Sequence, residues 1–428
     1  MVVTNLFVFA AHHSSGNIAA QRFKSLCKYL DPEEYTVHIF TRSTAESDGD
    51  TTYREQSNIT VHRLPGACVG ERSSFSIIAL VCSSAFWRKL PRTILALAGR
   101  RRVPTSWLLN AVGRARGIAK ERLAAGEGCS VIGTYSPIDA SVAAMSLSSE
   151  FSLPCVQDFR DGLVFESRGR AGFFSASARA ILETLVVHSA DLVTTVSMPI
   201  VQDFERRYPG KQVKLLPNGY DPADFDFLKS NQISPEAMAI VRTWPGEKVV
   251  IGHFGRVSES DSSRFEAFEY FIKSLNELTP PLIDRLHVLF VGTLTAREVA
   301  ALDNLRCSKF TVASVRRGVA LELMTYCDVQ LLLTGNGTGC VTGKLFEYLA
   351  AGPSILCFSV VENEASRILG KMRCGRTILV GDDETASALL AQILTAPSFR
   401  STTTCDAREF SKVTQARQLS GWIAQLRN

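Results

Sequence analysis

The stretch Thr342-Gly343-Lys344-Leu345-Phe346-Glu347-Tyr348-Leu349-Ala350-Ala351-Gly352 sets one lysine and one glutamate among apolar and small residues. Residues three apart share a helix face, so Lys344 and Glu347 would leave the same side of a helix beginning near 344. The preceding TGNGTGCVTG supplies Gly335, Gly337, Gly339 and Gly343. Glycines let backbone N–H groups approach an anion closely, and the N-terminus of the next helix adds partial positive charge. Lys344 adds a full charge at a helix end where the backbone dipole disfavours lysine. A neighbouring anion would account for it; a plain surface lysine is the alternative. Glu347 is either a solvated helix residue or an acceptor for a ligand's hydroxyl groups. Similar chemistry is available at Gly252-His253-Phe254-Gly255-Arg256. A guanidinium just past a strand can grip phosphate oxygens in bidentate fashion, or simply pair with an acid. Ser14-Ser15-Gly16-Asn17 follows the first predicted strand in the same way.

Other chemistries find little support. The glycine loop lacks the Gly-Lys-Ser/Thr ending of a Walker loop, and Cys340 occupies the last glycine position of Gly-x-Gly-x-x-Gly. Asp48-Gly49-Asp50 and Asp224-Phe225-Asp226 have an Asp-x-Asp spacing used for metals, but they fall in a polar loop and a turn cluster. His12 and His13 are adjacent and so point to opposite sides of a strand. No Gly-x-Ser-x-Gly supports a serine nucleophile. No bound metal or cofactor is expected.

These residues need elements to position them, and the apolar pattern supplies a repeating one. Predicted strands at Leu6–Ala11, Tyr35–Phe40, Ile59–Leu64, Ser130–Thr134, Cys155–Phe159, Leu192–Val196 and Val213–Leu216 alternate with helices such as Ile18–Leu30 and Ala176–Ser189. Alternation at this spacing indicates parallel sheets covered by helices on both faces. Pro217, Asn218-Gly219 and Pro222 then form a turn cluster at mid-chain. The pattern restarts at Val249–Phe254 and continues through Arg264–Leu278, Leu286–Val291, Thr295–Leu302, Phe310–Val312, Leu321–Tyr326 and Val329–Leu333. A helix over Asp406–Leu426 closes the chain. The reading is an α/β protein with two Rossmann-like domains facing a cleft: residues 1–217, residues 218–405, and a helix over 406–428 expected to pack back on the first domain. In such sheets ligands bind beyond the carboxyl ends of strands, where both glycine-containing segments fall.

At 428 residues the chain is long enough for two cores, and 46% apolar with 21% charged residues is the composition of a globular protein. The longest strongly apolar run, Ile77–Cys82, is far short of the roughly 18 residues a membrane span needs. Eleven scattered cysteines without a Cys-x-x-Cys pair indicate a reducing, cytoplasmic setting and no zinc cluster. The net charge of +5 is concentrated between Phe86 and Arg122, where ten basic residues face one acid, Glu121. Trp87, Leu90, Trp107 and Leu108 are interleaved, so segment 86–122 could dock on an anionic membrane surface or form a solvated helix face. Nucleic acid is not an expected partner, because no recognised binding module surrounds the patch.

Several segments together resemble one family. Gly343-Lys344-Leu345-Phe346-Glu347-Tyr348-Leu349-Ala350-Ala351-Gly352 is similar to the signature of family 4 glycosyltransferases of the GT-B fold. So are Thr194-Thr195-Val196-Ser197, Leu216-Pro217-Asn218-Gly219-Tyr220-Asp221 and Phe254-Gly255-Arg256. Tyr135-Ser136-Pro137 followed by Asp158-Phe159-Arg160-Asp161 resembles a subgroup of that family. The resemblance implies a nucleotide-diphosphate-sugar donor, UDP favoured, held mainly by the second domain. It assigns the diphosphate to Arg256 beside Gly255, and the ribose hydroxyls to Glu347. The loop of Gly339, Cys340, Val341, Thr342 and Gly343, with Lys344, would meet phosphates and donor sugar. Gly16 would permit close approach from the first domain, and Asp161 with Arg160 would lie toward the acceptor.

The resemblance further implies retaining, metal-independent transfer to a glycan, lipid-linked or small-molecule acceptor, as in surface-polysaccharide assembly. Three positions depart from the pattern. The lysine usual after Gly-Arg is absent, leaving Arg264 as a candidate second phosphate cation and catalytic partner of Arg256 and Asp161. Gly339 stands where a first glutamate often does, and the proline after the helix is shifted to Pro353. A sugar-nucleotide epimerase, a phosphorylase and a non-catalytic nucleotide-sugar-binding protein are the rival readings.

Overall fold

The computed structural model describes residues 3–13, 18–43, 56–68, 106–165, 173–230, 233–259, 261–339, 341–396 and 406–427. The chain divides into two compact units, one of residues 1–217 with 412–428 and the other of residues 218–411.

The first unit holds strands β1 (Thr4–Phe9), β2 (Tyr35–Arg42), β3 (Ile59–Leu64), β4 (Gly128–Tyr135), β5 (Cys155–Phe159), β6 (Leu192–Thr195) and β7 (Val213–Leu215). They form one sheet in the order β3-β2-β1-β4-β5-β6-β7, with every pair parallel. Helices α1 (Ile18–Lys28), α2 (Ser106–Ala124), α3 (Ile138–Phe151), α4 (Phe173–Ser189) and α5 (Met198–Arg207) connect them. β1 is buried along its whole length while edge strand β3 is half exposed, as expected when helices cover both faces of a parallel sheet. Phe7, Phe9, Phe40, Trp107 and Phe159 fill one face of the core, each contributing about 2–3 kcal/mol by leaving water.

The second unit repeats the plan. Its strands are β8 (Val249–Phe254), β9 (Leu286–Val291), β10 (Ser308–Val312), β11 (Val329–Thr334), β12 (Ser354–Ser359) and β13 (Gly375–Leu379). They are parallel in the order β10-β9-β8-β11-β12-β13. The longer helices are α6 (Pro235–Val241), α7 (Arg264–Asn276), α8 (Ala296–Asp303), α9 (Arg317–Tyr326), α10 (Gly343–Ala351), α11 (Glu364–Met372) and α12 (Asp383–Thr395). Strand order reverses at β1/β4 in one sheet and at β8/β11 in the other, and such switch points open a crevice at the carboxyl ends. β11 delivers the glycine loop to that crevice. Gly352, at φ 103°, ends α10 and Pro353 prevents its continuation before β12.

The predicted strands are present to within a few residues at each end. The closing helix is a correction. Asp406 caps a short 3-10 turn, Ala407–Phe410, and Ser411 is extended, so only α13 (Lys412–Leu426) is α-helical. Phe410 packs on Phe346 of the second unit at 4.9 Å between ring centroids, while Ala416, Leu419 and Ile423 join the first unit's core. The chain thus returns to the first unit at residue 412, and residues 406–411 remain with the second. α11, β13 and α12 were not anticipated from the sequence. Seven described cysteines are free, and Cys374 is in a disulfide, which the reading of the cysteines had not foreseen.

Candidate functional site

In the second unit the end of β8 is shaped by two glycines. Gly255 has φ 84°, a conformation that a side chain would strain. A Cβ on Gly292, at the end of β9, would stand 2.9 Å from the Gly255 Cα. The two strand ends therefore meet backbone to backbone, and Gly255 N–H donates to the Val291 carbonyl at 2.6 Å. α10 is fixed to the same place by buried Tyr348, whose hydroxyl accepts from the Phe254 N–H at 3.0 Å.

Lys344 leaves the first turn of α10 and lies across Gly255, where a Cβ would come within 3.1 Å of its Cε. Its ammonium donates to the Arg256 carbonyl at 2.6 Å and stands 3.1 Å from Nε2 of His253. His253 is buried, with Nδ1 2.9 Å from the Leu331 carbonyl. A carbonyl can only accept, so the ring proton sits on Nδ1 and Nε2 offers its lone pair to Lys344. Burial, then Lys344, push the His253 pKa well below the usual value, so the ring is neutral. Burial and the Arg264 guanidinium lower Lys344 to about 7 against the pull of Glu347 and Glu298.

The glycine loop is held at both ends. A Cβ on Gly335 would collide with Ser263 Oγ, and that hydroxyl accepts from the Asn336 N–H at 3.1 Å. Further along, the Thr338 carbonyl accepts from the Glu364 N–H, and buried Asn363 donates to Thr334 and Ser359. Gly339 is buried, whereas Val341, Thr342 and Gly343 are half-buried. Thr342 precedes α10 in extended conformation with a buried hydroxyl that has no hydrogen-bond partner among the described residues. Cys340 lies outside the described residues.

Arg256 points outward and pairs with Glu259 at 3.0 Å, an exposed contact of little energy that an anion can displace. Arg264 is buried at the start of α7, with Nε 3.5 Å from Asp261. The turn that follows Arg256 is fixed by buried Glu298, which accepts from Ser258 N–H and Oγ and from Thr295 N–H.

Glu347 pairs with Arg317 of α9, and Arg317 in turn holds Asp224 at 2.7 Å. Burial works against the Arg317 charge, but the two carboxylates outweigh it and raise the pKa above the ordinary arginine value. Lys344 therefore does not pair with Glu347. The lysine runs toward β8, while the glutamate one turn later faces the start of α9. Arg317 is the contact that the sequence conveyed least, because α9 begins four residues before the helix expected from Leu321. Asp224 and Asp226, the Asp-x-Asp of the turn cluster, are engaged by Arg317 and Lys229. Among the described residues no three metal-ligating side chains converge.

In the first unit, Gly16 lies outside the described residues. The end of β5 is the informative part. Asp158 is fully buried and accepts from Arg22 Nε and Nη2 at 3.0 and 2.7 Å, Thr134 Oγ1 at 3.0 Å and Thr194 Oγ1 at 2.8 Å. Arg22 also donates to the carbonyls of Leu216 and Pro217. Asp158 is thus the anchor of the Asp-Phe-Arg-Asp segment. Arg160 donates to the carbonyls of Tyr135 and Ser136, and Asp161 is exposed. His12, at the end of β1, has its pKa lowered by burial and then by Arg160 and Arg42.

Of the basic segment, residues 86–105 lie outside the described residues. The remainder forms α2, whose Trp107 and Leu108 are buried in the core and are not available to a membrane. Arg116 pairs with Glu150 and Arg122 with Glu127, while Arg114 and Lys120 are exposed. No helix among the described residues is long and apolar enough to cross a membrane.

Residues 19–219 match the glycosyl transferase 4-like domain. No curated protein sequence matches the chain. Among solved structures, sucrose-phosphate synthase from Thermosynechococcus elongatus is 15% identical with a TM-score of 0.63, covering 99% of both chains. HepE of Anabaena, in complex with UDP and glucose, is 16% identical with a TM-score of 0.60, covering 99% of this chain and 100% of the other. The UDP-forming α,α-trehalose-phosphate synthase from Burkholderia vietnamiensis is 15% identical with a TM-score of 0.59 over 99% of each chain. Likeness at this identity is likeness of fold, and the fold is GT-B.

Proposed function

We propose that this chain, a GT-B glycosyltransferase with a glycosyl transferase 4-like domain over residues 19–219, moves a sugar from a nucleotide-diphosphate sugar with retention and without a metal. The acceptor is a glycan, lipid-linked or small molecule of the kind used in surface-polysaccharide assembly. The observation that carries the donor assignment is the ammonium of Lys344 laid against the Arg256 carbonyl at the mouth of the glycine loop. Departure of a nucleoside diphosphate concentrates negative charge on its phosphates. Arg256, Lys344 and the N–H groups opening α10 are fixed donors for that charge, and preorganised donors of this kind lower the barrier without a metal ion. UDP is the favoured nucleotide, in keeping with the UDP bound in the HepE complex. Asp161 and Arg160 are assigned to acceptor recognition, with Gly16 allowing close approach.

Glu347 is assigned to the ribose hydroxyls. With Arg317 on one oxygen, the other remains available to accept. Glu347→Ala is expected to weaken binding of the free nucleoside diphosphate about 30-fold, the loss of a hydrogen bond to a charged group. Calorimetry that gives the wild-type affinity for the variant would remove the ribose assignment.

The reaction class is tested by incubating the chain with nucleotide sugars in the presence and absence of EDTA. Slow release of nucleoside diphosphate and free sugar, unchanged by EDTA, is the expected result. Loss of release with EDTA would exclude the metal-free mechanism, and an epimerised nucleotide sugar with no diphosphate released would favour an epimerase. For a lipid-linked acceptor, the basic side chains of segment 86–122, exposed Arg114 and Lys120 among them, would meet an anionic membrane face. Cosedimentation with phosphatidylglycerol vesicles, absent with phosphatidylcholine and reversed by salt, is expected on that reading. Equal partitioning to both vesicle types would contradict it.

A further inference from the structure

We propose that His253 is a positioning residue for Lys344, and that the pair takes up a proton when a nucleoside diphosphate occupies the end of β8. The inference rests on the diphosphate assignment above and adds to it a residue and a linkage. Three observations converge on it.

First, the ring of His253 can play only one part. Nδ1–H is committed to the Leu331 carbonyl on the neighbouring strand, so Nε2 must accept, and the group it faces at 3.1 Å is the Lys344 ammonium. Second, the lysine stem is confined. It crosses Gly255 with no room for a Cβ there, and its second hydrogen bond goes to the Arg256 carbonyl. Two of the three ammonium protons are therefore used to aim the group, and the third is left for a ligand. A neutral amine in the same place would spend both protons on these acceptors and have none for an anion. Third, this arrangement puts a cation beside Arg256 in a chain that lacks the lysine expected after Gly255-Arg256. α10 delivers from elsewhere in the sequence the charge that the turn itself does not carry.

The charges around the pair set the direction of the linkage. Arg264 from α7 disfavours a further positive charge, whereas Glu347 from α10 and Glu298 from α8 favour it. The carbonyls of Leu331 and Arg256 favour protonation of His253, but burial and Lys344 outweigh them. With Lys344 at about 7 in the free protein, a bound dianion raises its affinity for a proton. Binding then draws in protons near pH 7. The uptake fades well below pH 7, where Lys344 is already charged, and donor affinity declines as pH rises above 7.

The test is calorimetric titration with UDP-glucose, GDP-mannose, ADP-glucose and dTDP-glucose at pH 7 in HEPES and in Tris. In these donors the diphosphate is esterified at both ends and has no group titrating near pH 7, so uptake reports on the protein. For the donor that binds, the buffer dependence of the enthalpy is expected to show net proton uptake. Lys344→Met should abolish the uptake. His253→Phe should weaken binding about tenfold, the loss of one charge-assisted hydrogen bond, and diminish the uptake. His253→Gln, whose amide oxygen can accept from Lys344, should restore most of the affinity. Tight binding with no uptake, or uptake that persists in Lys344→Met, would overturn the linkage while leaving the diphosphate assignment intact. Wild-type affinity and uptake in His253→Phe would remove His253 from its role. Binding of none of the four donors would overturn the diphosphate assignment and this inference with it.

Discussion

Lys344→Met is expected to lower kcat/KM for the nucleotide-sugar donor by about a hundred- to a thousandfold, the cost of removing one preorganised donor to developing charge. Methionine is close in length and keeps the slot across Gly255 filled, so the substitution removes charge and hydrogen bonds with little change in packing. Arg256 remains in the variant, exposed and paired with Glu259, and its single charge does not replace the donor that Lys344 supplies. Most of the loss should appear in kcat, since the leaving diphosphate carries more charge in the transition state than in the bound donor. A loss smaller than about threefold in a variant with wild-type thermal stability would deny Lys344 a part in the chemistry.

Asp158→Ala is expected to cost about 3–5 kcal/mol of stability, because it removes the carboxylate that the buried Arg22 guanidinium meets with two hydrogen bonds. Both partners are nearly inaccessible to solvent, and Asp158 is the shared acceptor of Arg22, Thr134 and Thr194. Removing it strands donors from α1, β4 and β6 at once, and loosens the grip of Arg22 on the carbonyls of Leu216 and Pro217. In denaturant unfolding the loss should fall on the transition of the first unit and leave that of the second unchanged. The pair Arg22→Met with Asp158→Leu should be less destabilised than Asp158→Ala alone, since no charge is then left buried. A single variant as stable as the wild type would show that the pair is hydrated in solution.

The architecture was legible because the central strands are short, largely apolar runs flanked by turn residues. β8, β9 and β11 are buried at every position, and such strands carry their signal without any partner. The closing helix was misread for the same kind of reason. Phe410, Leu419, Ile423 and Leu426 form a helical stripe on paper, yet Phe410 belongs to one core and the others to another. Periodicity reports burial and does not say in which core.

The candidate residues were legible where the signal is local. The glycine loop, Lys344, Glu347 and Arg256 all announce themselves by residue type and position after a strand. What was not legible is which charge meets which. Lys344 and Glu347 are three residues apart and could have paired, but tertiary neighbours claimed both, His253 and the Arg256 carbonyl for one and Arg317 for the other. His253 was hidden by being an ordinary member of a buried strand. Asp158 was quoted within a motif and turned out to anchor it, which only the arrival of Arg22 from α1 could reveal.

Calorimetric titration with UDP, GDP, ADP, TDP and CMP tests the central claim most directly. One nucleoside diphosphate is expected to bind, with affinity reduced both in Glu347→Ala, which keeps the phosphate cations, and in Lys344→Met, which keeps the ribose acceptor. Binding that neither substitution alters, or no binding of any of the five, would contradict the assignment of this site to a nucleotide-sugar donor.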